Sequence, residues 1–299
     1  MKRNFHTILV PTDFSDKSLA ALEESHNLAK LTGLNITLMH VIRDTGHNIF
    51  SLFDPVQSDK LKKEYEDQFR NKMSKIAQDA ADRSGVQVNA IISRGKEYDK
   101  ILKASQLLES RFIVMGVNGE PFEDNKDYIG SNTARIIRKA NCPVITINHK
   151  HDHDGCRSIL LPLDLTHETR QKVTNAIELA RLFGSTIKVI SINTDPRNKE
   201  IESMLRRQLE QVSNFISKND IRVEAELIEK PAHIKSPAPM IVEYAKDRKD
   251  VDLIMIMTQQ ESGLFELFIG SSAQEIISKA KVPVMSIIPK QLGFISIMS

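Results

Sequence analysis

Short apolar runs alternate with amphipathic segments along the chain, and this pattern predicts an α/β fold. The runs are rich in Ile and Val and nearly continuous in apolar character, as in parallel strands buried on both faces. Strands that alternate with helices favour a doubly wound sheet covered by helices on both faces. In the first half we expect strands near 7–12, 35–42, 87–93, 111–116 and 143–147, and helices near 15–32, 56–84, 97–109 and 131–140.

The predicted helices carry start and stop signals. Ser and Asp favour helix N-caps because their side chains accept hydrogen bonds from free backbone N–H groups, and Gly favours the left-handed residue that ends a helix. The long second helix is highly charged, which is typical of a solvated outer face. The candidate caps, in chain order, are Ser15 or Asp16, Gly33, Ser58 or Asp59, and Gly85.

The chain repeats itself once. Residues 8–13 read Ile-Leu-Val-Pro-Thr-Asp, and residues 159–164 read Ile-Leu-Leu-Pro-Leu-Asp. Near the end of each half, Ile-Gly-Ser at 129–131 matches Ile-Gly-Ser at 269–271. Both copies are followed by a short predicted helix and an apolar run that begins at a Pro-Val pair. A repeat of this length predicts two copies of the same domain.

We therefore divide the chain into domains 1–150 and 151–299, each with its own five-stranded, mostly parallel sheet. The stretch 149–155 is polar and reads as a linker. Its alternating His and Asp residues fit either a metal-binding tract or a plain solvated linker. The last strands, near Val144 and Val284, are apolar and lie at sheet edges, so we expect the two domains to pack through them.

Composition narrows the class of protein. The chain has 299 residues, 40% apolar and 27% charged, with a formal net charge of +2. This balance favours neither a nucleic-acid nor a membrane partner. The two cysteines, Cys142 and Cys156, do not make a disulfide framework, and the first apolar run is too short for a signal peptide or a membrane span. We expect a cytoplasmic protein.

The candidate binding site lies where the strands of each domain end, because open α/β sheets bind ligands outside the carboxyl ends of their strands. A helix that begins at Gly-Ser offers free N–H groups and the positive end of a dipole to a phosphate. We expect the other glycines to keep the facing loop free of side chains, and Asp13 to accept from an adenine amino group or a ribose hydroxyl. The candidate contacts are Pro11, Thr12, Asp13, Val41, Met115, Gly116, Asn118, Gly119, Gly130, Ser131 and Asn132 in the first half, and Asp164, Gly270, Ser271 and Ser272 in the second.

Structural roles fit several of these residues equally well. Asp13 and Asp164 can cap the turn into the first helix of each half. The Gly-Ser pairs can serve as helix starts alone. We find no nucleophile elbow, Walker loop or paired-cysteine metal site, so the sequence predicts no catalytic residue and, apart from the His-Asp tract of the linker, no metal ligand.

Taken together, Pro-Thr-Asp, Met-Gly-x-x-Gly, Gly-Ser and Cys-Pro-Val within one half resemble the universal stress proteins, and the resemblance covers nearly the whole chain. It implies a fold like that of the adenine-nucleotide α-hydrolases. It also implies ATP or a related adenine nucleotide as the ligand of some members, with very slow or absent hydrolysis. Pairing of domains through the last strand is a further implication, and two halves in one chain can mimic that dimer.

Both halves depart from the family pattern Gly-x2-Gly-x9-Gly-Ser/Thr. In the first half, ten residues separate Gly119 from Gly130. They include four carboxylates. If a triphosphate binds beside these carboxylates, a bridging Mg²⁺ is needed to offset the repulsion. The alternative is that the loop swings outward and the carboxylates lie in water. In the second half, Met257 and Gln260 stand in place of the first two glycines. We therefore expect the stronger site in the first half.

Three functions remain open at this stage. The first is an adenine-nucleotide-binding stress-response module. The second is an interaction protein that has lost the ligand in both halves. The third is a nucleotide-dependent ligase or hydrolase on the same kind of fold. We also expect a homodimer of the two-domain chain and a protein partner that the sequence does not identify.

Overall fold

A computed structural model describes residues 6–43, 55–119, 128–150, 154–164, 169–258 and 269–288. The strands of the first half are β1 (Thr7–Pro11), β2 (Asn35–Ile42), β3 (Val88–Arg94), β4 (Ser110–Gly116) and β5 (Val144–Ile147). Those of the second half are β6 (Ser158–Leu163), β7 (Thr186–Asn193), β8 (Val223–Glu229), β9 (Leu253–Met257) and β10 (Val284–Ile287). The helices are α1 (Asp16–Thr32), α2 (Pro55–Ser84), α3 (Glu97–Leu107), α4 (Ser131–Lys139), α5 (Thr169–Phe183), α6 (Lys199–Ser217), α7 (Ala238–Asp247) and α8 (Ser271–Lys279).

The strands form one continuous sheet in the order β3-β2-β1-β4-β5-β10-β9-β6-β7-β8. Within each half all pairings are parallel, so the expected five-stranded α/β sheet is present twice. The halves meet where β5 and β10 pair antiparallel, with Met285 opposite Ile145. Pairing through the last strands is therefore confirmed, but the expectation of two separate sheets is wrong. The two edges satisfy each other's backbone groups, and this joins them into one sheet.

Helices pack on both faces of this sheet over apolar strands. Ile8, Leu9 and Val10 of β1 are fully buried, as are their counterparts in β6. One apolar cluster lies on each face, and each cluster contains residues of both halves. Phe112 of β4 lies with its ring centroid 6.4 Å from that of Phe183 in α5. Over the ranges described, no helix is both long and apolar enough to cross a membrane.

Local signals set the helix ends. Ser15 caps α1 by accepting from the Ser18 N–H, and Gly33 ends the helix with φ of 69°. Gly85, also with φ of 69°, follows the end of α2 as expected. The predicted opening of α2 at Ser58 or Asp59 is wrong, because the helix includes Pro55. Proline suits the first turn of a helix, where its missing N–H has no intrahelical acceptor.

The C-terminal end of the linker is held to the first half by two hydrogen bonds. The backbone N–H of Gly155 donates to the Asn27 side chain at 2.7 Å, and the Asn27 amide donates back to the Gly155 carbonyl at 2.8 Å. His151, Asp152 and His153 of the predicted His-Asp tract lie outside the described residues. Cys156 is buried just beyond the linker, and burial raises the pKa of its thiol to about 12.

Candidate functional site

A cleft of about 710 Å³ opens at the carboxyl ends of β1, β2 and β4 in the first half. It lies at the point where the strand order reverses, since β1 has β2 on one side and β4 on the other. Four separate chain segments bring their predicted contact residues to this cleft. Its lining includes all eleven first-half candidates: Pro11, Thr12, Asp13, Val41, Met115, Gly116, Asn118, Gly119, Gly130, Ser131 and Asn132.

The turn after β1 is held by its own side chains. Thr12 Oγ1 accepts from the Phe14 N–H at 3.0 Å. Asp13 Oδ1 accepts from both the N–H and the hydroxyl of Ser15, at 3.1 and 2.5 Å. One carboxylate oxygen of Asp13 is therefore used in capping the turn. Phe14 adopts a φ of 69°, in a region that residues other than Gly rarely occupy. The hydrogen bonds of the turn therefore hold a strained backbone.

The glycines of the motif allow the loops to pack against each other. A Cβ on Gly116 would lie 3.0 Å from Cβ of Lys17 and 3.1 Å from its backbone carbon, and one on Gly119 would lie 2.0 Å from Asp13 Oδ2. A Cβ on Gly130 would lie 3.3 Å from Asn118 Cα. The reason given from the sequence for Gly116 and Gly119, clearance for a ligand, is therefore incomplete. At these positions the missing side chain makes room for protein atoms.

Asn118 ties the loop after β4 to its neighbours. Its side-chain oxygen accepts from Lys17 Nζ at 2.5 Å, and its amide donates to the Tyr128 carbonyl at 3.0 Å. The residue is 8% exposed. Its polar atoms thus connect α1, the β4 loop and the segment that leads into α4.

The start of α4 faces this cleft. Gly130 is its N-cap, and no side chain in the described part of the chain caps it. Its first turn contains no acidic residue, whereas Arg138 and Lys139 lie in its last turn. The Ser131 side chain is exposed beside the free N–H groups. The end of the helix that carries the positive dipole is therefore open to an anion.

The cleft extends past the predicted contacts, over the ends of β2 and β3. The residues on this side were not predicted from the sequence. The i, i+4 spacing of Tyr65 and Phe69 on a charged helix was the available signal for the aromatic pair, and position at a strand end was the signal for the two arginines. The principal missed residues are His40, Arg43, Tyr65, Phe69, Arg94 and Glu97.

An aromatic cluster lines this side. The His40 ring lies 4.5 Å from Phe14 and 4.7 Å from Phe69, and Tyr65 meets Phe69 edge to face at 4.9 Å. His40 Nδ1 lies 2.8 Å from the Thr12 carbonyl oxygen. A carbonyl oxygen accepts only, so Nδ1 carries the proton. His40 thus joins the aromatic cluster to the turn that bears Asp13.

Two ion pairs bound the outer edge of the cleft. Arg94 at the end of β3 donates through Nε and a terminal nitrogen to Glu66 of α2, at 3.1 and 2.7 Å. The hydrogen bond from Arg94 lowers the pKa of the Glu66 carboxyl. Arg43, just after β2, pairs with Glu97 of α3. The first pair fixes α2 against the sheet one residue from Tyr65.

Comparison with known proteins identifies the family of this fold and site. The sequence model described as "Universal stress protein family" matches residues 4–148 and 155–287. The chain belongs to the universal stress protein family.

Relatives of this universal stress protein match one half or the whole chain. Universal stress protein MJ0577 of Methanocaldococcus jannaschii is 28% identical over 158 residues, which cover 49% of this chain and 97% of the relative. Universal stress protein YxiE of Bacillus subtilis is 27% identical over 151 residues, covering 48% and 99%. A crystal structure of a universal stress protein from Archaeoglobus fulgidus has a TM-score of 0.71 at 20% identity and covers 95% of this chain and 97% of its own. That structure shares the fold along both domains.

The second universal stress protein domain differs where its strands end. Asp164, after β6, is exposed, and its Oδ1 lies 3.7 Å from Lys172 Nζ. Lys172 is 8% exposed and also donates to the Pro162 carbonyl at 3.3 Å. An internal ammonium group therefore contacts Pro162 and Asp164 at the end of β6, whereas the end of β1 in the first domain leads into the Asp13 turn.

The other second-domain candidates surround the start of α8. Gly270 is the N-cap of this helix, and Ser271 and Ser272 are exposed in its first turn. Met257 holds the place of Gly116, since Gly116 pairs with Ile147 of β5 and Met257 with Ile287 of β10. Gln260 lies outside the described residues. The helix start is thus kept in the second domain, whereas the glycine at the preceding strand end is replaced.

Proposed function

We propose that this universal stress protein binds an adenine nucleotide, ATP or a close relative, in its first domain and acts as a stress-response signalling module. The observation that carries the proposal is the convergence of eleven predicted contacts on one cleft of about 710 Å³. Pockets for small ligands and cofactors fall in the range of roughly 300–1,000 Å³. The cleft is therefore of a suitable size and lies where open α/β sheets bind ligands.

The phosphates are proposed to lie at the start of α4. That helix offers uncapped N–H groups, no acidic residue in its first turn and the exposed hydroxyl of Ser131. Backbone N–H groups and the dipole both favour negative charge there. The nucleoside then extends toward Val41 at the end of β2, past the Asp13 turn.

The first domain is proposed as the stronger site. In the second, Lys172 contacts Asp164 just after β6, and Met257 replaces the glycine at the end of the fourth strand of the domain. Both differences place large side chains at the strand ends, where the first domain has a glycine and closely packed loops. Gly270, Ser271 and Ser272 remain available for a weaker contact with an anion.

A specific observation supports a second candidate function, a nucleotide-independent interaction protein. Asp13 Oδ1 and both polar atoms of the Asn118 side chain already have protein partners, and the motif glycines pack against protein. Residues of the family pattern can therefore have a purely structural role, in which they hold the loops together and contact no ligand. In that case the same arrangement of loops would present a protein-binding surface without a ligand.

The test is analysis of the purified full-length protein, prepared without added ligand. Mass spectrometry of released small molecules, followed by calorimetric titration with ATP, is expected to show an adenine nucleotide bound at about one per chain. Absence of both released nucleotide and titration heat would favour the interaction protein. Turnover of ATP faster than a few per hour would instead favour a hydrolase.

We also propose that the two-domain chain forms a homodimer. The outer strands β3 and β8 are the ends of the ten-stranded sheet, and both carry exposed residues. Light scattering at micromolar concentration measures the assembly directly. A mass of a single chain of 33.8 kDa under those conditions would contradict the homodimer.

A further inference from the structure

We infer that Tyr65 and Phe69 of α2, backed by His40, form a wall against which the base of the bound nucleotide stacks. We name these three residues the aromatic wall. The inference rests on the proposed function, because it concerns the base-binding end of the same cleft. It assigns a base-binding role to α2, a helix that contributes none of the contacts expected from the family motif.

The exposure and position of the rings carry the argument. Tyr65 and Phe69 both line the cleft, and Tyr65 is 58% exposed. Aromatic side chains are usually largely buried, so an exposed ring that borders a cleft is available to a ligand. Their i, i+4 spacing on α2 puts both rings on one face of the helix. That face borders the cleft on the side opposite the start of α4.

The wall is braced on both sides, so its rings are held in place before a ligand arrives. His40 is 9% exposed, and its ring lies 4.7 Å from Phe69 and is fixed by the bond between Nδ1 and the Thr12 carbonyl. Glu66, next to Tyr65, is anchored to Arg94 of β3. Rigid aromatic surface binds a planar group at a small cost in conformational entropy.

The shape and chemistry of the cleft favour a base as the occupant of this end. The opposite end provides N–H groups for an anion, and the two regions are joined by the Thr12–Asp13 turn that His40 contacts. A ligand that spans the cleft therefore needs an anionic end and a flat aromatic end. Nucleotides combine both, and bases stack on aromatic side chains irrespective of their edge groups.

The second domain lacks the histidine of this arrangement. Ser191 stands at the place of His40, because Val10 pairs with Leu38 and Leu161 with Val189 in the equivalent strand pairs. Ser191 is fully buried, and its hydroxyl has no hydrogen-bond partner among the described residues. The aromatic wall is therefore a property of the first domain, which agrees with the proposed location of the stronger site.

The test uses the full-length chain and calorimetric titration with ATP and with inorganic tripolyphosphate. Tyr65→Ala is expected to weaken ATP binding about fivefold, the size of one aromatic stacking contact, and to leave tripolyphosphate binding unchanged. Tyr65→Phe keeps the ring and is expected to retain the wild-type affinity. Phe215→Ala is the matched control, because Phe215 is an aromatic residue, 45% exposed, on the long helix α6 of the second domain. This control is expected to change neither affinity.

Proton NMR gives a second readout that a general loss of structure would not produce. The base protons of ATP are expected to shift upfield on binding to the wild type, through the ring currents of the wall, and to shift less with Tyr65→Ala. Equal ATP affinities and equal base-proton shifts in wild type and Tyr65→Ala would overturn the aromatic wall and leave the proposed function intact. A parallel loss of tripolyphosphate binding would also overturn it. Failure of the wild type to bind ATP would overturn the proposed function, and the wall with it.

Discussion

The two domains share one strand order but differ at the carboxyl ends of their strands. In the first, Gly116 ends β4 and packs against Lys17 of α1, whereas in the second Met257 ends β9 at the same place. In the first, Asp13 is bound by Ser15, whereas in the second Asp164 faces the buried Lys172. The sheet is therefore compatible with either set of residues. We therefore expect any difference in ligand binding between the domains to arise from a few side chains at the strand ends.

A second difference lies inside the sheet. Thr37 of β2 and Lys188 of β7 hold equivalent places, opposite Leu9 and Leu160. Thr37 shares a hydrogen bond with Thr7 at 2.8 Å, whereas the Lys188 ammonium meets Glu224 at 2.5 Å and Asp250 at 2.9 Å. Burial lowers the pKa of Lys188, but its hydrogen bonds to these carboxylates outweigh burial and raise the pKa overall. The second domain thus holds a charged residue where the first holds a neutral one.

Converting the first domain toward the second should have the largest effect. Gly116→Met is expected to destabilise the protein by about 3 kcal/mol and to abolish ATP binding, because its Cβ would lie against the backbone of α1 and displace it. Urea denaturation and ATP titration measure the two effects. The reciprocal change Met257→Gly is the control and is expected to leave ATP affinity unchanged. A fully stable Gly116→Met that binds ATP would show that α1 moves aside at little cost.

The two helix starts provide the next test. Gly130→Val is expected to weaken ATP binding by roughly 1–3 kcal/mol, because a Cβ there lies 3.3 Å from Asn118 Cα, so the larger side chain disturbs the loop beside the start of α4 and leaves the N–H donors for the phosphates unpaired. Gly270→Val is the matched variant. It is expected to have little effect, since a Cβ there meets no described atom within 4 Å and the second domain is proposed as the weaker site. Calorimetry on the full-length variants decides, and the reverse ranking would place the main site in the second domain.

Dependence on magnesium addresses the acidic stretch of the first domain. Glu120, Glu123, Asp124 and Asp127 lie outside the described residues, and the expectation for them rests on sequence alone. At about 6 Å and an effective dielectric near 20, each like-charge pair costs on the order of 2–3 kcal/mol. ATP affinity is therefore expected to fall about tenfold when a chelator replaces Mg²⁺. Equal affinities in the two conditions would mean that the acidic stretch points away from the phosphates.

The smallest effect concerns the charged pair of the second domain. The hydrogen bond from Lys188 holds the pKa of Asp250 below its ordinary value, so the folded state binds the proton less readily than the unfolded state does. The resulting stabilisation is present above the unfolded pKa of about 3.9 and is lost as the pH falls through the lower folded pKa. Asp250→Asn is thus expected to be less stable than wild type at pH 7 and closer to it in stability at pH 3. Urea midpoints at both pH values measure this, and a gap that stays constant with pH would contradict the assignment.

The sequence predicted the elements well because local patterns determine them. The third strand was expected near 87–93 and is found at Val88–Arg94. The third helix was expected to reach residue 109 but ends at Leu107, because Glu109 adopts φ of 45°, which interrupts a right-handed helix.

The candidate site was predicted less completely, because its other side depends on tertiary packing. Tyr65 and Phe69 read as two aromatic residues on a charged helix, and only the packing of α2 beside β3 brings them to the cleft. The close contacts of Gly116 and Gly119 also involve residues distant in sequence, Lys17 and Asp13. Such contacts leave no periodic pattern along the chain.

The antiparallel joint between β5 and β10 has a consequence for assembly. If two separate chains paired through these strands, dilution would separate them. Here the partner strand is tethered, so its local concentration is set by the connecting chain and stays in the millimolar range. The joint therefore persists at any protein concentration in a cell. Each domain always has its neighbour, so the second domain can carry Met257 where the first carries Gly116 without loss of the joint.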